Sequence, residues 1–272
     1  MDVELYGMLT RLIALSPEGS AAVNALVRTT CAEALSLPPL PAEGAPADDA
    51  VLADFAEQFA TDVSSITPQQ RKAFLALGDN AFCVATLIFM ADFLPRVSSG
   101  LAALELGPVP EPTEWDHTTD PGELVLEQFV PMVATRRALD PVMTEVVRLR
   151  GAAQHDCRLC KSRREVGALD SGGSESLYDD IERYETSTLL DDRHKAALRY
   201  VDALIWTPAR IDAGVASGVR AHFTEPEALE LTLDVMRNAA NKIMVAFGAD
   251  APRVAEGTER FLLGVDGQPV YS

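Results

Sequence analysis

Basic side chains are scarce in this 272-residue chain, where 23 Lys and Arg stand against 41 Asp and Glu for a formal net charge of −18. A surface that neutralises phosphates needs the opposite balance, so nucleic-acid binding is excluded as a main task. Cysteine is also sparse, and 4 in a chain of this length cannot form a disulfide scaffold. Neither G-x-G-x-x-G nor G-x-x-x-x-G-K occurs, so no nucleotide cofactor is expected. The longest apolar run, residues 81–91, is short for a bilayer, and Asp2 and Glu4 place acid where a secretory or transit peptide needs base. These absences point to a soluble cytoplasmic protein with no membrane partner. At 47% hydrophobic and 24% charged, the chain can build a real core.

Alternating, β-branched runs are few, whereas helix-capping signals recur at helical spacing. Asp140-Pro141 offers a cap followed by proline at the first helical position, with Val142, Val146 and Leu149 on one face. Thr67-Pro68 with Gln70, and Thr224 with Glu227, fit capping boxes, and Asp191 can cap a helix whose Leu198, Val201, Leu204 and Ile205 face inward. The helix from Glu225 is expected to run to about Gly248. Residues 36–50, 105–122 and 171–176 carry the Pro, Gly, Ser and acidic composition of loops. The fold class is therefore all-α.

The segment after Phe55 resembles the segment after Tyr200 at an offset of 145 residues, which becomes 146 after one inserted residue. At that offset Thr86 faces Thr232, Leu87 faces Leu233, Met90 faces Met236, Asp92 faces Asn238, Arg96 faces Lys242 and Val97 faces Ile243. Two amphipathic helices of similar composition could align this way by chance. The preferred reading is a degenerate duplication, with a first repeat over residues 1–104, a linker over 105–122 and a second repeat over 123–272 that alone carries a C-x-x-C.

Reactive residue types concentrate between Asp140 and Leu169. Glu145 falls on the apolar face of its helix, where a carboxylate is partly desolvated, unless it sits at the edge of the stripe and pairs in solvent with Arg148. His155-Asp156-Cys157-Arg158-Leu159-Cys160 then places two cysteines in one helical turn, with Asp156 as the expected N-cap and Arg164 four residues beyond Cys160 on the same face. The positive helix end with Arg158, Lys161, Arg163 and Arg164 favours thiolate, as a peroxide-reducing or dithiol-exchange centre requires. Two cysteines used only for packing need no such setting. Zinc would need four ligands, and beyond Cys157, Cys160 and His155 no second cluster has zinc spacing, so no metal is expected. Cys31 and Cys83 read as inert buried thiols, His117, His194 and His222 as surface histidines, and Trp206 and Phe223 as core or interface residues.

With Glu145, Cys157, Cys160 and the later Arg237-Asn238-Ala239-Ala240-Asn241, residues 140–248 resemble the carboxymuconolactone decarboxylase superfamily, in particular its alkylhydroperoxidase D-like branch. There a glutamate precedes a C-x-x-C by twelve residues, as Glu145 precedes Cys157 here. The resemblance implies an all-α fold, self-association into a homo-oligomer, and a thiol centre that reduces hydroperoxides with electrons from a dithiol donor protein. It makes Cys160 the attacking thiol, Cys157 the resolving thiol and Glu145 part of a proton relay. The helix dipole alone would favour Cys157, but a carboxylate at Asp156 opposes its ionisation. One departure is chemical: the branch has a histidine four residues after its second cysteine, this chain has Arg164 there, and its nearest histidine, His155, lies on the other side of the motif. Arginine stabilises a thiolate without shuttling a proton. The alternatives are a non-redox, lactone-type acid–base enzyme working through Glu145, and a non-enzymatic oligomeric scaffold whose cysteines sense redox state.

Overall fold

The computed structural model describes residues 2–271. In chain order the helices are α1 (Val3–Ala14), α2 (Ala21–Leu35), α3 (Ala50–Asp62), α4 (Pro68–Leu75), α5 (Ala81–Ala103), a π-helix (Glu123–Phe129) that runs into α6 (Val130–Ala134), and α7 (Pro141–Gln154). They continue as α8 (Arg158–Lys161), α9 (Val166–Asp170), α10 (Glu175–Asp179), α11 (Asp192–Trp206), α12 (Ala213–His222), α13 (Glu225–Ala239) and α14 (Lys242–Phe247). The protein is all-α apart from one small sheet. In it β1 (Arg163–Glu165) pairs in parallel with β2 (Glu259–Leu263), which pairs antiparallel with β3 (Pro269–Tyr271).

Local chemistry accounts for the helix starts. Asp140 accepts the Met143 N–H at 2.9 Å while Pro141 occupies the first helical position, Asp191 accepts from His194, and both expected capping boxes form. The helix expected from Glu225 to Gly248 is instead two helices, because the chain turns at Ala240 and Asn241 before α14. Gly248 closes α14 at φ 68°, where a side chain would be strained. The loop at 171–176 ends early, since Ser174 caps α10. Residues 105–122 are strapped along α1: Tyr6 Oη donates to the Leu106 carbonyl at 2.7 Å, and Asp116 exchanges backbone hydrogen bonds with Ala14 and Ser16.

The apolar segment at 81–91 belongs to a longer helix than its composition implied. Asp92 and Arg96 do not end it, because Arg96 Nε donates to Asp92 at 2.7 Å inside the protein and Lys242 Nζ reaches the same carboxylate at 2.5 Å. By length and hydropathy this helix could cross a membrane, yet 78% of its apolar stretch is buried within the fold. One continuous core joins both halves, including Leu9, Phe55, Phe89, Met143, Tyr200 and Leu233. α2 packs on α3 and α5, α7 packs on α11 and α13, and α5 and α13 meet between the two sets. A smaller cluster outside α7 holds Val146, Leu149, Tyr178, Ile181 and Leu198, with Val142 against it.

Candidate functional site

α7 and α13 lie against each other, and on one side of their contact opens a cavity of about 510 Å³. Its apolar wall includes Leu126, Val130, Val133, Leu139, Ile243 and Phe261, and its polar wall comes from α7, the turn after Cys157 and α13. Cys157 and Cys160 are joined as a disulfide, with Cα atoms 5.3 Å apart. Cys160 lines this cavity, whereas Cys157 faces only a 30 Å³ recess behind it, shared with His155, Asn238, Asn241 and Lys242. Of the two cysteines, Cys160 is therefore the one on the wall of the large cavity.

Glu145 is buried, as its place on the apolar face predicted, and it also pairs with Arg148, but inside the protein rather than in solvent. Arg148 Nε and Nη2 reach its two oxygens at 2.6 and 2.7 Å, and the Glu165 N–H donates to it at 3.2 Å. The same guanidinium donates to the carbonyls of Cys160 at 2.9 Å and Arg163 at 2.7 Å. Burial is the largest single influence and opposes the Arg148 charge, yet the attraction and hydrogen bonds of Glu145, with Tyr178 and Glu165 adding to them, together hold the Arg148 pKa above its ordinary value. Arg148 thus ties α7, the cysteine turn and β1 together, with its partner carboxylate clamped at both oxygens.

Two expectations about the motif are corrected. Asp156 is not the N-cap of α8: it adopts a left-handed φ of 49° and pairs with Lys161, and Cys157 itself occupies the cap, its Sγ accepting the Cys160 N–H at 3.2 Å. The carboxylate at the start of this turn is Asp250, which accepts the Arg158 N–H at 2.9 Å and its Nη2 at 2.6 Å. Arg164 does not share a helical face with Cys160, because α8 is a single turn that ends at Lys161 and the chain continues as strand β1. Strand alternation turns Arg163 toward the cavity and Arg164 away from it, where Arg164 pairs with Glu175 at 2.8 Å and stacks over Tyr178. His155 is brought to the disulfide, but from the sealed side. Burial, reinforced by Lys242 and Arg96, pushes its pKa well below the ordinary histidine range, and its Nε2 has no partner.

The residues outside the motif stand as follows. Cys31 is buried and Cys83 half-buried, both with thiols pushed up by burial, and among the described residues they are the free cysteines. His117 and His222 are exposed and His194 is half-buried. Phe223 is buried, while Trp206 lies largely on the surface.

Sequence reasoning missed the polar strip of α13. Glu230, Asp234, Arg237 and Asn238 line the cavity from a helix whose other faces are packed in the core, and Asn241 joins them from the turn before α14. Asp234 holds Arg237 Nε at 2.9 Å, and Glu230 accepts the Ala138 N–H at 2.7 Å. Burial pushes Glu230 up to about 7, with Asp234 adding to the shift, and burial likewise raises Asp234 against the pull of Arg237. The i, i+4, i+8, i+11 spacing of Glu230, Asp234, Asn238 and Asn241 was the available signal.

Fold and site together define an all-α protein with a dithiol/disulfide pair on the wall of a mostly apolar cavity. The chain is 57% identical over 275 residues, 97% of this chain and 96% of the other, to the uncharacterized protein Rv2313c of Mycobacterium tuberculosis (strain ATCC 25618 / H37Rv), and to the uncharacterized protein MT2376 of strain CDC 1551 / Oshkosh to the same degree. It belongs to the family that these two proteins represent. It is also 28% identical over 109 residues, 40% of this chain and 60% of the other, to the uncharacterized protein YnjA of Escherichia coli (strain K12). No family model and no solved structure matches the chain.

Proposed function

We propose that this protein is a thiol-dependent oxidoreductase of the alkylhydroperoxidase D-like kind within the carboxymuconolactone decarboxylase superfamily, reducing hydroperoxides or disulfides through Cys160 and Cys157. The observation that carries the reading is the asymmetry of the pair: Cys160 faces a 510 Å³ cavity and Cys157 lies behind it, within bonding reach. In one turnover the Cys160 thiolate attacks the peroxide and becomes a sulfenic acid. The Cys157 thiol then displaces water to form the disulfide, and a dithiol donor protein restores both thiols. Glu145 positions rather than relays, since Arg148 engages both of its oxygens. That clamp favours cysteine chemistry over a lactone-type reaction, in which Glu145 must give and take a proton.

We further read the two halves as a degenerate duplication. Support comes from the order of helix, short 3-10 turn and helix in α3 and α4, which recurs in α11 and α12, with the single helix α5 in the first half matched by α13 and α14 in the second. Self-association is part of the proposal, because Phe82, Leu126 and Leu262 are exposed apolar side chains at the cavity. Cytoplasmic residence belongs to it as well.

The test is dithiol-dependent consumption of tert-butyl hydroperoxide by the parent, Cys160→Ser and Glu145→Gln proteins. The proposal expects turnover in the parent and none in Cys160→Ser. Absence of parental turnover with a panel of dithiols, or full activity in Cys160→Ser, would contradict it.

A further inference from the structure

Two buried hydrogen-bond donors beside Cys160 have nothing to bind. Arg163 Nη2 and Asn238 Nδ2 are both enclosed and unpartnered, and both residues line the cavity that Cys160 opens into. Neither is loosely held. Arg163 Nε donates to Glu259 at 3.0 Å, its guanidinium lies 4.6 Å from the centre of the Tyr271 ring, and its backbone carbonyl is fixed by Arg148. Asn238 sits on α13 and lines the recess behind the disulfide, which both cysteines also line, as well as the main cavity. A buried donor without a partner is costly to keep, a cost that persists where a ligand collects the bond.

We propose that Arg163 and Asn238 form an oxyanion-binding site at Cys160, which takes the negatively charged oxygen that leaves when the thiol is oxidised. The catalytic use rests on the peroxide-reducing reading above. In that step the Cys160 thiolate bonds to the distal oxygen of a hydroperoxide and the O–O bond breaks. Sulfur is oxidised to the sulfenic acid, and the organic half departs as an alkoxide that takes a proton from water. Arg163 Nη2 and Asn238 Nδ2 donate to that alkoxide oxygen while its charge develops. The charge that the motif spacing assigned to Arg164 is thereby supplied by its neighbour, because the strand turns residue 163 inward.

The test needs no peroxide. The reduced protein is alkylated at Cys160 with iodoacetate and with iodoacetamide, and the ratio of the two rates is taken. Both reagents meet the same thiolate, so the ratio cancels the thiol pKa and reads affinity for an anionic oxygen beside the sulfur. The site predicts that Arg163→Gln and Asn238→Leu each lower the ratio about tenfold, the worth of one charge-assisted hydrogen bond, and that Arg163→Lys keeps most of it. If Arg163→Gln fails to fold through loss of the Glu259 contact, the uncharged Asn238→Leu decides alone. A ratio within twofold of the parent in the folded variants overturns the site. A lowered ratio in a protein that consumes no hydroperoxide would leave the anion site standing and remove the peroxidase reading instead.

Discussion

Removing the Arg148 guanidinium by Arg148→Ala is expected to cost more than any surface change in this protein. The Arg148 and Glu145 side chains are 12% and 2% exposed, so the pair is not screened by water as a surface pair would be. Taking one partner from a buried pair leaves the other charge uncompensated and costs about 3–5 kcal/mol. In this protein the carboxylate of Glu145 would retain only the Glu165 N–H, and the carbonyls of Cys160 and Arg163 would each lose a donor. Urea unfolding followed by far-ultraviolet circular dichroism, with the slope of the transition held as a check on compactness, measures the loss. The double variant Glu145→Gln/Arg148→Met removes both charges and is expected to recover much of the stability, since replacing both partners removes the orphaned charge. A loss below about 1 kcal/mol in Arg148→Ala, the worth of an exposed pair, would refute the reasoning.

Two further outcomes follow from the same geometry. Because Arg164 points away from the cavity toward Glu175 and Tyr178, Arg164→Ala should leave the rate of Cys160 alkylation and its pH midpoint at the parent's values; a slowed reaction with an upward midpoint would return Arg164 to the site. Burial raises Glu230 from 4.5 to about 7, so over that window the unfolded chain releases a proton that the folded one retains. The parent should lose stability relative to Glu230→Gln as pH rises from about 4.5 to about 7, with no further divergence above it. Parallel pH–stability curves for the two proteins would contradict the shift.

The helices were legible because their starts are local: Thr67, Asp140 and Asp191 each accept the N–H three residues on, and Glu227 reaches back to the Thr224 N–H. The position of Glu145 was legible for the same reason, since helical spacing placed it on the buried face. What lay beyond reach depended on distant segments. The α8 turn ends early because β1 finds its partner in β2, nearly a hundred residues further on, and that pairing decides that Arg163 rather than Arg164 faces Cys160. Asp250 takes the role expected of Asp156 across 92 residues of chain. The α13 strip was visible as spacing, but nothing local marks it as the wall of a cavity rather than a solvated face. The charges Asp92 and Arg96 looked like an end to an apolar segment, and what lets a helix of 23 residues bury them is distant: Lys242 pairs with Asp92, and Arg96 donates to the carbonyls of Ala60 and Leu204.

The central claim concerns the order of events at the two sulfurs, and a single-turnover experiment reads it directly. Fully reduced protein is mixed with one equivalent of tert-butyl hydroperoxide, quenched with an alkylating reagent and mapped by peptide mass spectrometry. The account predicts that Cys157 and Cys160 lose their thiols together as one intramolecular disulfide while Cys31 and Cys83 are recovered alkylated, and that Cys157→Ser stops with a sulfenic acid on Cys160. Recovery of both thiols at Cys157 and Cys160 under conditions that oxidise a control dithiol, or a sulfenic acid trapped on Cys157 in Cys160→Ser at the parent's rate, would contradict it.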